Sequence, residues 1–529
     1  MAKAPGEGRR RSASISGHGA FRGAVVTSVW TLLSRILGFA RDAAMLAVFG
    51  ASAETGNFVI AWMLPNLFRR LFGEGAVSAA IQPALARAQE QEGHEVAARL
   101  FASFQGVFAV SLIGLIAIGE VVLLFWHNQL AAAPLTDVAH ALEARSSDLE
   151  ALVLSASLLP YVLPICLTAL AGAPQQLSGR FSLPALAPAM LNVVWITWLV
   201  ILGQGASILL LPIGVLFGGV VQWVMQFPGL RADGWPLLPR LDFKNPRLGA
   251  SLKAFAPAVL GLAAVQLNLM VDQILVREMV SEQANSFTYA ANRLIQLPMA
   301  LVGISAATGV MPLFSKLAAE NRQRDLTAAL QKSSELTLML MMAAGAGLFL
   351  LAEPVIRVLF EHGRFTAEDT VALTPVLRAY LWSLPAAAMM GLTARVRQAS
   401  TDLRGPARIA IAVVPINLAL DILWLPKYGV AGAGYATAVA LSVQLLLLTA
   451  GLPKLGIGTP VRLPRLPQLL LPAVASTSAA GFVLHFTSDI LPEWVVLTLC
   501  IMAGVVAAAF TAWKALPDEA AQLWSKLRR

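Results

Sequence analysis

The chain has 529 residues, 57% of them hydrophobic and 13% charged, with a formal net charge of +9. A soluble protein carries about 25% charged residues, so this composition excludes an ordinary soluble fold and points to a bundle embedded in a bilayer; the mean hydropathy of +0.69 agrees. The two cysteines, Cys166 and Cys500, lie far apart within apolar segments, which argues against a disulfide framework or a cysteine metal site.

Residues 1–23 are basic and rich in Gly and Ser, with Arg9, Arg10 and Arg11 in a row. They read as a disordered cytoplasmic tail that anchors topology, not as a cleaved signal peptide, because the apolar run that follows carries Arg35, Arg41 and Asp42. A spanning helix needs ~20 mostly apolar residues, and about fourteen such segments follow. They are expected at 24–49, 56–88, 98–126, 150–172, 183–203, 206–230, 249–278, 284–316, 328–352, 372–397, 405–425, 429–451, 466–488 and 493–515. The second and eighth are long and only partly apolar, which predicts a bend or a water-lining face.

Charge in the connections supports this count. With the N-terminal tail inside, the inner connections carry Arg87, Arg99, Arg180, Arg231, Arg240, Lys316, Arg322, Arg395, Arg404, Lys454 and Arg462 among others. The outer ones carry only Arg145, Arg277, Arg357, Arg364 and Lys427, and are otherwise acidic. This asymmetry orients the chain with both termini cytoplasmic. The net charge is therefore an orientation signal and not a nucleic-acid footprint.

The sequence repeats at half its length. Arg180-Phe-Ser-Leu-Pro184 precedes Asn192, and Arg404-Gly-Pro406 precedes Asn417, at offsets of 224 and 225; Phe58 to Pro83 matches Phe287 to Pro312 at 229. The offset spans six helices, an even number, so the two copies share one orientation, as in transporters built from parallel repeats. The expected fold is an all-α polytopic membrane protein. Its N-lobe is 24–230, a cytoplasmic linker 231–248, a C-lobe 249–452, two further helices within 466–515 and a cytoplasmic tail 516–529.

Ionisable groups inside spans are costly and mark cavities, partners or permeation paths. The first helix carries Arg35, Arg41 and Asp42, with Arg35 and Asp42 two turns apart on one face. The second carries Arg69, Arg70 and Glu74 around Pro65, Gly73 and Gly75, and the eighth carries Arg293 beside Asn292 and before Pro298. Arginines meeting in one cavity make an anion site suited to diphosphate, because the planar guanidinium donates paired hydrogen bonds and stays charged. Two readings stay open for each: a share in that site, or local neutralisation, Arg41 by Asp42 and Arg70 by Glu74, with the remainder drawn to an interface. In the second half, Asp272, Asn417, Asp421 and Thr437 are hard oxygen ligands suited to a small cation or to proton exchange. The alternative is a polar cluster satisfied among neighbouring helices. Signatures of phosphate loops, metalloproteases, serine hydrolases and dithiol redox centres are absent from the sequence, which argues against an enzyme.

The run Ser34-Arg-Ile-Leu-Gly-Phe-Ala-Arg-Asp42, then Leu64-Pro-Asn-Leu-Phe-Arg-Arg70 and Gly73-Glu-Gly-Ala76, resembles the MurJ (MviN) family of lipid II flippases. So do Arg180 to Pro188 with Leu191-Asn192, and Tyr289 to Pro298. The resemblance covers residues from about 24 to 515. It implies the multidrug/oligosaccharidyl-lipid/polysaccharide exporter fold, with two six-helix lobes in a V and two extra helices that offer a groove for a lipid tail. It places essential cavity arginines on Arg35, Arg41, Arg69 and Arg293, acidic positions on Asp42 and Glu74, and a sodium site on Asp272, Asn417, Asp421 and Thr437; Asn66 and Arg70, in the same run, complete the candidate substrate site. The chain departs from the family at Gly56 and at Asn292, where an Asp is frequent; Glu54 is a candidate substitute for the first. The implied function is transfer of lipid II to the outer leaflet of the bacterial inner membrane by alternating access. It needs no cofactor beyond a coupling sodium ion or proton, works as a monomer among membrane lipid, and has cell-wall synthesis or division proteins as candidate partners. A flippase for another undecaprenyl-diphosphate saccharide, and a non-transporting scaffold for cell-wall synthesis, are the alternatives.

Overall fold

A computed structural model describes the protein over residues 17–71, 77–132, 140–242, 248–249, 270–402, 404–488 and 490–515. Glu74, most of the expected seventh helix, most of the N-terminal tail and all of the expected tail 516–529 lie outside these residues. Every long element among them is helical. The first lobe contains α1 (Gly17–Phe49), α2 (Ala53–Phe68), α3 (Val77–Glu92), α4 (His94–Ala132), α5 (His140–Leu158), α6 (Val162–Leu177), α7 (Ser182–Leu202), α8 (Leu211–Val224) and α9 (Phe227–Ala232). The second opens on a helical segment at 270–279. It continues as α10 (Ala284–Pro298), α11 (Ser305–Ala319), α12 (Gln323–Leu350), α13 (Ala352–Phe360), α14 (Ala367–Leu381), α15 (Leu384–Ala399), α16 (Arg404–Tyr428) and α17 (Val430–Ala450). Then come α18 (Leu466–Thr487) and α19 (Glu493–Ala515), which pack along each other, with α18 also along α12.

Among the described residues, 9 helices are long and apolar enough to cross a bilayer. The other expected spans are the charged first helix, the second and eighth, the partly described seventh, and the tenth. These depart from plain apolar helices for identifiable reasons. The second and eighth widen into π turns at 69–71 and Met299–Ile304, following Pro65 and Pro298. Such turns absorb the backbone distortion that proline imposes. The tenth breaks at Trp382 and Ser383, just before Pro385. α13, expected as loop, is instead a short amphipathic helix that buries Val355, Ile356 and Phe360.

The outer surface is that of a protein solvated by lipid: Val121 is 67% exposed, Val200 75% and Phe510 57%. Hydroxyls on these helices turn inward to the carbonyl four residues back, as in Thr197 to Val193, Thr477 to Ala473 and Thr498 to Trp494. Where no water is available, that internal bond satisfies the polar group. Helices in lipid gain little from hydrophobic burial, so they associate by close packing of small residues. On α17 the run Ala431-Gly-Ala-Gly434 is buried, and Gly434 lies against the backbone at Ala379 and Tyr380 of α14.

Each lobe has its own core. Phe58, Trp62, Tyr161 and Trp195 anchor the first, and Phe287, Leu294, Phe360 and Tyr380 the second. α1 belongs to both: Met45 and Phe49 face the first core while Leu46 enters the second. Phe39 of α1 also stacks on Phe360 at 5.7 Å.

A buried ion cluster ties the last two helices to the second lobe. Glu335 on α12 is 1% exposed and accepts from Arg462 at 2.5 and 2.8 Å, with Arg465 at 3.4 Å. The Glu335→Ala variant removes a buried carboxylate that two guanidinium groups share and should lose about 2 kcal/mol of stability. A lowered thermal midpoint in detergent checks this, and an unchanged one refutes it.

Candidate functional site

The sequence places Arg41 and Asp42 side by side on α1, and the fold sets them where the two lobes meet. Asp42, 1% exposed, is the centre of the cluster. Its Oδ1 accepts from Arg41 at 2.6 and 2.9 Å and from the Tyr289 hydroxyl at 2.6 Å. Its Oδ2 pairs with Arg293 Nε at 2.5 Å. One carboxylate thus holds a guanidinium from each lobe. Arg41 also donates to Asn192 Oδ1 at 3.1 Å and lies over the Trp195 ring at 4.4 Å. Asn192 is fixed in turn by donating to the Ser34 carbonyl at 2.9 Å. Arg293 donates to Tyr289 at 3.0 Å and to Gln296 at 3.2 Å, and its side chain stays 25% exposed. Tyr289 and Arg293 sit at i,i+4 on α10, so one helix face presents both.

The aromatic floor reaches toward the second helix. Trp62 packs on Trp195 at 5.2 Å and on Tyr161 at 5.3 Å. Two turns further along that helix, Arg69 donates to Asn66 Oδ1 at 3.0 and 3.1 Å, in the wide turn it shares with Arg70. Both arginines are half-buried. Arg35 is exposed and makes no hydrogen bond or ion pair among the described residues. The structure therefore joins Arg41, Asp42 and Arg293 directly, places Asn66 with Arg69, and leaves Arg35 outside the bonded cluster. Glu74 cannot be placed. Tyr289, Asn192 and Trp195 are contacts that the charge pattern did not single out; the hydroxyl one turn before Arg293 was the available signal.

The second cluster forms as a unit. Asn417 Nδ2 donates to Asp272 Oδ1 at 2.8 Å and to Asp421 Oδ2 at 3.0 Å. Asp421 is 1% exposed, and its Oδ1 is buried without a hydrogen-bond partner. Thr437 lies beside the Tyr380 hydroxyl, which neighbours both carboxylates. Two carboxylates bridged by one amide, with an orphaned buried oxygen, suit a small cation or a shared proton.

The lobes also meet at the end of the bundle where α1 stops and α2 begins. Arg364 donates its backbone N–H to the Ala47 carbonyl at 2.8 Å, and the Gln283 side chain donates to the Ala51 carbonyl. Arg277 pairs with Asp148 at 2.7 Å and bonds Asn57 at 3.3 Å. Glu54 stands 3.9 Å from Arg364 across the divide, so the acid considered as a substitute for one at Gly56 does form an ion pair between lobes.

Comparison with known proteins agrees with this architecture. The profile of the family described as lipid II flippase MurJ matches residues 45–504. The lipid II flippase MurJ of Burkholderia cenocepacia is 30% identical over 446 residues, covering 83% of this chain and 85% of that protein. The probable lipid II flippase MurJ of Vibrio cholerae is 30% identical over 444 residues, covering 82% and 83%. Among solved structures, a lipid II flippase MurJ in an inward closed conformation superposes with a TM-score of 0.76 at 24% identity, over 93% of this chain and 99% of that one. A multidrug resistance MATE family transporter of the MOP superfamily, inward-facing, superposes with a TM-score of 0.65 at 14% identity, over 82% and 98%.

Proposed function

The chain belongs to the MurJ family of lipid II flippases, and from that premise we propose that it carries lipid II from the cytoplasmic to the outer leaflet of the bacterial inner membrane by alternating access. The observation that carries this reading is the Asp42 junction, where Arg41 and Arg293 from opposite lobes share one buried carboxylate. Two guanidinium groups against one carboxylate leave one positive charge in excess, and Arg69 adds a further guanidinium nearby. A diphosphate diester brings two negative charges and the acceptor geometry that guanidinium forks fit.

The headgroup enters between the lobes from the cytoplasm. Its diphosphate competes with Asp42 and Tyr289 for Arg41 and Arg293, while Asn66 holds Arg69 toward it. Arg70 follows Arg69 in sequence with Glu74 four residues on, and Arg35, exposed on the first helix, is a further cation for the entering headgroup. Once the diphosphate takes the arginines, the tie between lobes at Asp42 weakens, which couples binding to rocking. The prenyl tail stays in lipid along α18 and α19. Both termini face the cytoplasm, as the charge asymmetry of the connections requires. An inside-negative potential then favours outward movement of an anionic headgroup by ~2.3 kcal/mol per charge per 100 mV. Asp272, Asn417, Asp421 and Thr437 are the residues that would hold a sodium ion, and the orphaned Asp421 oxygen fits that role. A bound cation, or a proton, would offset one of the two carboxylate charges, relieve their repulsion and so reset the carrier. No covalent step is needed. The transport unit is one chain, because both halves of the site lie within it, and cell-wall synthesis or division proteins are its candidate partners.

The test is reconstitution of the purified chain in vesicles with fluorescent lipid II. Headgroups should become accessible on the far leaflet faster than in protein-free vesicles, and a diphosphate-free prenyl saccharide should not cross. Equal rates with and without protein would reject the reading, and rapid transfer of the diphosphate-free lipid would reject the anion site.

A further inference from the structure

We propose that the outer seal of this transporter is a backbone clasp, in which glycines let the helix ends of one lobe dock on carbonyl groups of the other, and that Gly56 sets its closure. The inference rests on the alternating-access reading and names the residues that shut its outer side.

Three glycines meet carbonyls of the opposite lobe here, Gly363 at Ala47, Gly56 at Glu282 and Gly50 at Arg364, and the first two come nearest. The last carbonyls of a helix have no partner within it. At the end of α1 the Ala47 carbonyl finds one in the opposite lobe, in the Arg364 N–H at 2.8 Å. That approach requires Gly363, whose φ is +61° and where any Cβ would strike the Ala47 carbonyl. The second contact runs the other way. Gly56, in the first turn of α2, lies against the Glu282 carbonyl, and a Cβ built there would overlap that oxygen. The turn between these points is held rigid on its own side: Ser52 caps the Thr55 N–H at 3.2 Å and Thr55 Oγ1 donates to the Gly50 carbonyl at 2.8 Å.

The exposed ion pair contributes less. Glu54 and Arg364 are 3.9 Å apart with 43% of each side chain exposed, and such pairs are screened and weak. Arg277 is better buried and draws the lobes together through Asp148 at 2.7 Å and Asn57 at 3.3 Å, with Glu282 at 3.8 Å, but its long side chain spans the gap without fixing how near the backbones come. Closure is therefore set by how near two backbones can come, and a single methyl group at position 56 would hold them apart. Gly56→Ala leaves the first lobe intact, since the obstructing atom belongs to the second lobe.

The experiment reads access to the site from outside. Gln296, exposed and bonded to Arg293, is replaced by Cys; the native Cys166 and Cys500 are buried and give little background. Labelling with a membrane-impermeant maleimide added to the outer face of right-side-out vesicles should be slow in this background. Adding Gly56→Ala should raise the rate about fivefold or more, because a bias against the closed state shifts the population outward. Gly363→Ala should do the same independently. Glu54→Gln should stay within about twofold, and so should labelling in high salt, which screens exposed pairs. An unchanged rate in both glycine variants overturns the clasp. So does a Glu54→Gln variant that opens as far as Gly56→Ala, since the seal would then be ionic. Labelling at 296 that a clasp mutation raises from both faces together, rather than raising it outside and lowering it inside, would instead overturn alternating access.

Discussion

The Arg293→Ala variant should be expressed at normal levels and yet transport lipid II at least about thirtyfold more slowly than the parent. The magnitude follows from removing one charged partner of a desolvated anion contact, which costs about 2–5 kcal/mol. Normal folding is expected because Asp42 keeps Arg41 and the Tyr289 hydroxyl when Arg293 is gone, so no carboxylate is stranded. The Arg293→Lys variant keeps the charge but loses the planar fork that bonds Asp42 and Tyr289 together; it should recover only a small part of the rate. The measurement is headgroup flipping in vesicles, with monodispersity in detergent as the folding control. Parental transport in the Ala variant would remove the anion site from the mechanism.

The junction that this variant dissects was partly legible in the sequence. Arg41, Asp42 and Arg293 announce themselves because charge inside a span is rare. What could not be read is that Asp42 serves both arginines, since α1 and α10 lie 247 residues apart along the chain at the Tyr289 contact. Local neutralisation and a shared anion site looked like alternatives for Arg41; the geometry shows the neutralising acid, and the proposed mechanism makes that acid the group a diphosphate displaces. The bends were legible from Pro65 and Pro298. That both become wide helical turns at matching places in the repeat, starting 11 and 12 residues after Phe58 and Phe287, was not. Glu335 was missed outright, because its partners Arg462 and Arg465 lie 127 and 130 residues away and resemble ordinary orientation charges. The outer clasp was invisible for a different reason. It is made of backbone atoms, and glycine at position 56 registered only as a missing acid.

The repeat has a further meaning in three dimensions. Asn192 and Asn417, 225 residues apart, each centre a polar cluster in their own lobe. In the first lobe the amide accepts from a guanidinium, and in the second it donates to two carboxylates. One repeated position thus meets a guanidinium in one lobe and two carboxylates in the other. That division makes the second lobe the place to look for the driving ion.

Replacing Asp421 by Asn should therefore abolish ion dependence while leaving headgroup binding in place. The substitution keeps the shape and the bond to Asn417 but removes the negative charge beside Asp272. In the parent, saturating sodium should raise the thermal midpoint, by as much as about 2.7 kcal/mol of stabilisation at a hundredfold excess over the dissociation constant. In Asp421→Asn that increment should vanish, and net turnover should fall at least about tenfold because the empty carrier resets slowly. The sign with pH separates the two candidate ions. Sodium needs both carboxylates deprotonated, so acidification should weaken its effect and extra sodium should restore it. If a proton alone resets the carrier, sodium changes nothing at any pH, while Asp421→Asn still slows turnover by mimicking a permanently neutral group. Equal stabilisation of parent and variant by sodium would place the ion elsewhere. Unimpaired turnover in the variant would reduce the Asp272, Asn417 and Asp421 cluster to a structural tie between helices.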